Sequence, residues 1–256
     1  MTEKQLDILH EDSELLVLNK PAGLVVNRAE STHSKTLQEM LEGYFGYDEN
    51  GGPGLRSGIV HRLDKETSGV ILVAKNEGAM AELQRQFKDR EVSKTYLALA
   101  HGKLKPEFKV SLPLGRSRAN RLRHGVDLQG REAETGFKLI SIYKLNDEVA
   151  KKVKKGLSKD FWVGYDRFSL VEARPKTGRT HQIRVHLHSV FAPIVADEIY
   201  GGRKFLRVDK EWAGRMFLHA SQISFVHPKS KKRVEFVSDL PENLKIILKD
   251  LVEVEV

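Results

Sequence analysis

Apolar residues recur along the chain in short blocks with two kinds of spacing. Leu15-Leu16-Val17-Leu18 is a continuous apolar run, broken at Lys20-Pro21-Ala22-Gly23 and resumed at Leu24-Val25-Val26. Residues 6–26 therefore read as two strands and a turn. Val70-Ile71-Leu72-Val73-Ala74 reads as a buried strand fed by a turn at Ser68-Gly69, and Thr95 to Ala100 and Phe168 to Val171 are also strand-like. Elsewhere the spacing is helical. Leu37, Met40, Leu41 and Tyr44 form a stripe behind the capping box Thr36-Leu37-Gln38-Glu39. Met80, Leu83 and Phe87 form another. Thr180 is placed to cap a helix running to Val190, with Ile183, Leu187 and Val190 toward the core. A Pro-started helix spans Pro241 to Leu251. Asp48 to Gly54 is Gly-rich and polar, a loop. No repeat or linker interrupts residues 1–256, which predicts a single domain.

Charge narrows the range of functions. There are 43 Lys+Arg against 35 Asp+Glu, a net charge of +8, which favours a polyanionic partner such as nucleic acid. The excess is concentrated. Residues 115–132 carry Arg116, Arg118, Arg121, Arg123 and Arg131 among few large apolar groups, the pattern of a loop or ribbon with a positive face. Residues 147–160 carry Lys151, Lys152, Lys154, Lys155 and Lys159, a basic surface insertion. The absence of Cys excludes disulfides, thiol catalysis and Cys-based metal centres. Neither a signal pattern nor a membrane-length apolar run occurs, so an intracellular, cytoplasmic protein is expected.

Two groups stand out for chemistry. Asp64 lies in the polar turn Ile59-Val60-His61-Arg62-Leu63-Asp64-Lys65-Glu66-Thr67-Ser68-Gly69, at the mouth of the predicted strand 70–74. A carboxylate there is well placed to act on a bound substrate, although an isolated loop Asp more often closes an Asx-turn. On the helix after Thr180, His181, Arg184 and His188 share a face distinct from that of Ile183 and Leu187. A half-buried Arg184 needs an anion, either a carboxylate such as Asp64 or a nucleic-acid phosphate. The histidines lack metal-ligand spacing, and no hydrolase elbow or phosphate-binding loop is present.

Taken in order, several blocks resemble the RluA-type family of RNA pseudouridine synthases over about residues 8 to 250. They are Asn19-Lys20-Pro21-Ala22-Gly23, then His61-Arg62-Leu63-Asp64 with Thr67-Ser68-Gly69, then Lys94-Thr95-Tyr96. Thr177-Gly178-Arg179-Thr180-His181-Gln182-Ile183-Arg184-Val185-His186-Leu187 follows, then Pro193-Ile194-Val195-Ala196-Asp197 with Tyr200-Gly201. Ala196 stands where the family usually has Gly, which tightens a turn but leaves Asp197 in place. The S4 RNA-binding domain that often precedes this catalytic domain is not expected, so RNA affinity must come from the catalytic domain or a partner.

The resemblance implies an α+β fold with a mixed, largely antiparallel central sheet and flanking helices. It implies isomerisation of uridine to pseudouridine inside ribosomal or transfer RNA, with no cofactor, metal or nucleotide. Asp64 would be the catalytic carboxylate, as nucleophile or proton acceptor. Tyr96 would lie against the target base, and Arg184 would pair with Asp64. His61, Arg62, Arg116, Arg118 and Arg121 are the expected RNA contacts. The target uridine must be flipped out of its helix to be reached. The protein is expected to act as a monomer. Two other readings compete. A non-catalytic RNA-binding or RNA-folding module explains the charge equally well, and a metal-dependent nuclease would need a carboxylate cluster that the sequence does not display.

Overall fold

The computed structural model describes residues 6–29, 34–49, 51–117, 123–155 and 157–255. The chain falls into two compact units: residues 1–94 with 220–239, and residues 95–219 with 240–256. Both are α+β, with antiparallel strands and flanking helices.

In the first unit, β2 (Leu15–Lys20) pairs with β3 (Ser68–Ala74), in register from Leu15 opposite Ala74 to Lys20 opposite Gly69. Every residue of β3 is buried, which explains why its sequence is a continuous apolar run rather than an alternating one. β1 (Ile8–Glu11) covers the other edge of β2, and β10 (Leu218–Val226, its last seven residues here) pairs with β11 (Arg233–Val237). The helix α1 (Leu37–Phe45) carries the expected capping box at Thr36 and Glu39, and α2 (Glu77–Lys88) starts at Asn76, whose side chain accepts from Ala79 N. Leu83 of α2 packs with Leu15, Val17, Val70, Leu72 and Phe225 into one core. The run Leu24–Val26, expected as a strand, is not one. Its carbonyls instead accept from the start of α1, Val25 O from Leu37 N (2.8 Å) and Val26 O from Gln38 N (3.0 Å). Leu24 and Val26 are buried and Val25 half-buried, but the backbone serves a helix end whose amides need acceptors.

In the second unit, β4 (Ser93–His101, its last seven residues here), β9 (Phe168–Pro175), β8 (Glu134–Leu145) and β12 (Leu251–Val254) pair in that order. β5 (Glu107–Ser111) also pairs with β8. The basic segment, expected as a loop or ribbon, holds a ribbon among the described residues: β6 (Leu114–Arg116) pairs with β7 (His124–Val126). The Lys-rich segment forms α3 (Asp147–Lys154), followed by α4 (Lys159–Tyr165). Its lysines 151, 152, 154 and 155 face solvent, while Val153, with Trp162 and Tyr165 of α4, enters the core. The segment is thus basic outside and structural inside. The helix α5 (Gln182–Ser189) starts two residues later than Thr180 and leaves Val190 exposed, so only Ile183 and Leu187 of the expected stripe reach the core. The last helices are α6 (Arg203–Asp209) and α7 (Glu242–Lys249).

Two contacts fix the turn that leads into β3. His61 Nε2 accepts a 2.9 Å hydrogen bond from Leu72 N, and its ring stacks on Phe87 at 4.9 Å. Burial and then the charge of Lys94 push the imidazole down to about 3, so it is neutral and carries its proton on Nδ1. Gly69 has φ +114, and a Cβ there would lie 2.1 Å from Ala220 O. Only glycine fits that backbone approach.

Gly69→Ala is therefore expected to cost about 3 kcal/mol of stability, from strain plus overpacking. Urea denaturation checks this, and a loss below about 1 kcal/mol would mean that the neighbouring strand simply moves aside. His61 gives a pH signature. Unfolded, it binds a proton below ~6.5; folded, it stays neutral down to about 3, so its contribution to stability falls as pH drops through that window. In His61→Gln, the slope of unfolding free energy against pH between about 4 and 6 should be shallower than in the parent. Equal slopes would show that His61 is protonated in the fold.

Candidate active site

Asp64 is half-buried, in a turn closed by Thr67 N donating to Asp64 O at 3.1 Å. Leu63 beside it is buried and anchors the turn, while Arg62 points to solvent. The backbone on the other side of Asp64 is held by Lys20. This lysine is 1% exposed, and its Nζ donates to Pro21 O (2.8 Å), Leu24 O (2.9 Å) and Lys65 O (3.1 Å). Gly23 N adds a 2.8 Å hydrogen bond to the same Lys65 carbonyl. An ammonium taken out of water must find such acceptors, and here they tie the Asn19–Gly23 block to the residue after Asp64. Sequence reading missed this role because a lysine next to a proline reads as solvated turn.

In the second unit, Tyr96 lies on β4 opposite Ala173 of β9, half-buried and packed against the core that contains Phe137 and Ile183. Arg184 projects from α5, and only 5% of it is exposed. Its Nε donates to Asp197 Oδ2 at 2.7 Å and its Nη2 to Asp197 Oδ1 at 2.8 Å, a fork-to-fork ion pair. The anion that a buried Arg184 requires is thus supplied within thirteen residues. Asp197 Oδ1 also accepts from Ile199 N (2.9 Å) and Tyr200 N (3.0 Å). Burial works to raise the Asp197 carboxyl, but the Arg184 hydrogen bonds and charge, with the two amides, outweigh it and hold the group below its ordinary range. Asp197 was legible only as part of a block. The signal that could have singled it out is an Asp followed at +2 and +3 by amides it can cap, an Asx-type turn.

Tyr200 links this pair to the basic ribbon. The Arg184 guanidinium lies 5.1 Å over its ring and that of Arg123 lies 6.0 Å away. Its hydroxyl accepts from His124 N (2.9 Å) and sits 3.0 Å from His181 Nδ1. Arg123 Nη2 also donates to Ile199 O. The β7 side of the ribbon is therefore registered on the α5 helix start. Gln182 fixes that start from the other side, bonding Thr177 Oγ1, Arg179 N, Glu134 O and Thr135 Oγ1. Arg116 is exposed on the ribbon, whereas Arg118 and Arg121 lie outside the described residues. His61, expected among the RNA contacts, has its Nε2 taken up by Leu72. Among the described residues, no His, Asp and Glu group is arranged to hold a metal, and no helix is long and apolar enough to cross a membrane.

The family model for RNA pseudouridylate synthases matches residues 14–189. The chain is similar to the ribosomal large subunit pseudouridine synthase D of Zymomonas mobilis, 35% identical over 252 residues, covering 96% of this chain and 73% of that protein. It is 36% identical over 250 residues to the enzyme of the same name from Neisseria meningitidis serogroup B, covering 95% of this chain and 60% of that one. The chain thus spans roughly two thirds of the length of these relatives. Among solved structures, human RNA pseudouridylate synthase domain containing 1 superposes with a TM-score of 0.68 at 27% identity, over 95% of this chain and 88% of that one. With its turn at Asp64, its strand at Tyr96 and its Arg184 helix all inside the matched span, the chain belongs to the RNA pseudouridylate synthase family.

Proposed function

We propose that the protein isomerises uridine to pseudouridine within an RNA chain, with Asp64 as the catalytic carboxylate. The observation that carries this is the family match over residues 14–189, which includes Asp64, Tyr96 and Arg184. The reaction breaks the N1–C1′ bond, turns the uracil, and joins C5 to C1′. C5 loses its proton and N1 gains one, so atoms and electrons balance without a cofactor. In this reading Tyr96 lies against the target base, and Arg184 orients Asp64 while Asp197 holds Arg184 still. Arg62, Arg116, Arg118 and Arg121 bind phosphates of the distorted RNA, and His61 supports the turn from behind. The names of the relatives make large-subunit ribosomal RNA the first target to test, with transfer RNA second. Residues 1–256 act as one catalytic domain, as a monomer, in the cytoplasm.

RNA from cells lacking the gene, labelled with tritium at uridine C5, releases that tritium on conversion. Asp64→Asn should bind this RNA normally and release none. Turnover near that of the parent would remove Asp64 from the chemistry, and binding without turnover by the parent itself would favour the RNA-binding module. Replacing Arg116, Arg118 and Arg121 together by Ala should weaken binding and reduce the slope of log affinity against log salt by about 2. An unchanged slope would make the ribbon a solvated surface.

A further inference from the structure

A fully buried carboxylate in the second unit has no part in the chemistry proposed above. Asp209, at the end of α6, is 0% exposed, and His101 beside it is 1% exposed. Its Oδ1 accepts from Tyr165 Oη at 2.7 Å, and that hydroxyl accepts in turn from Trp212 Nε1 at 2.7 Å. Its Oδ2 lies 3.0 Å from His101 Nε2 and accepts from Ala196 N at 2.8 Å. The rings of Tyr165, Phe168 and Phe205 surround His101. No lysine or arginine is among these contacts. A carboxylate in an apolar core is costly, and a core of this kind packs well without one.

What distinguishes Asp209 is the amide it holds. Ala196 has φ +58, in the left-handed region that residues with a Cβ enter only under constraint. Its methyl is buried with Tyr165, Phe168 and Val208, so the residue cannot simply rotate outward. The next residue is Asp197, the partner of Arg184, and the left-handed turn sets the direction in which its carboxylate leaves the backbone. Releasing Ala196 would let that carboxylate swing and take the guanidinium with it.

We propose that Asp209 is a positioning residue: clamped by Tyr165 and His101, it locks Ala196 in the left-handed conformation and so aims Asp197 and Arg184. This rests on the reading that Arg184 belongs to the catalytic site. It makes α4, which follows the Lys-rich segment, part of the device that orients the site.

The test uses the tritium-release assay at saturating RNA, with thermal unfolding followed in parallel. Asp209→Leu removes both acceptors without opening a cavity. Its turnover should fall roughly tenfold or more, because a small misplacement is amplified in rate, while RNA binding is retained. Adding Ala196→Gly should recover most of the lost turnover, since glycine adopts the left-handed region without being held. A purely structural Asp209 would lose stability without that rescue. Full turnover in Asp209→Leu, or a loss that Ala196→Gly does not reverse, overturns the proposal. If Asp209→Leu does not fold, Tyr165→Phe with and without Ala196→Gly is read by the same two criteria. Arg184→Lys separates the two levels of argument. If it keeps full turnover, the reading of the catalytic site fails; if it loses turnover while Asp209→Leu does not, only the role of Asp209 fails.

Discussion

Arg184 carries a permanent positive charge into a region that water scarcely reaches, and the second unit is arranged around that constraint. Desolvating an ion of this kind costs several kcal/mol unless a partner and further hydrogen bonds compensate. Asp197 supplies the partner in bidentate form, and then needs its own remaining lone pairs filled. The amides of Ile199 and Tyr200 fill them, which curls residues 197–201 into a turn closed by Gly201 N on Asp197 O. The turn brings the Tyr200 ring against the guanidinium, and the Tyr200 hydroxyl fastens the basic ribbon. A single buried cation thereby orders a helix, the turn that follows it and a ribbon far upstream in sequence. Removing either member of such a pair is worse than never having had it, because the other is left charged and unmatched.

The first unit solves a similar problem with different chemistry. Lys20 is buried with its ammonium donating to three backbone carbonyls. A point charge with rotatable donors suits three carbonyls converging from two loops, whereas a planar guanidinium suits one carboxylate. The two cations therefore do different work. Arg184 fixes a side chain, and Lys20 fixes backbone.

Local periodicity made much of the fold legible. β3 and α2 follow directly from a continuous apolar run and an i, i+3, i+7 stripe. The Thr36 capping box was read from four residues, because a cap is a local interaction. Failures came where a distant group decided the matter. Leu24–Val26 has the side chains of a strand, yet its carbonyls are taken by α1. Val190 fits the α5 stripe but lies at its C-cap, past the point where the helix turns its apolar face inward. At the site, the need of Arg184 for an anion was readable, but its bidentate partner depended on a chain reversal ending in a left-handed alanine, which no periodicity encodes. Lys20 and Asp209 were invisible for a similar reason: charged residues read as surface, and only the folded packing shows the acceptors and donors that let them be buried.

The burial of Lys20 also gives the molecule an internal chemical reporter. Amine-reactive reagents attack the neutral, accessible form of a lysine, and an ammonium wrapped by three carbonyls offers neither. Exposed amines such as Lys210 and Lys249 acylate from the folded state, whereas Lys20 must wait until the Pro21–Leu24 segment separates from Lys65. The rate at which native protein acquires a label at Lys20 therefore counts how often the backbone beside Asp64 comes loose. Peptide mass spectrometry reads that rate at one position, without RNA and without knowing which uridine is modified.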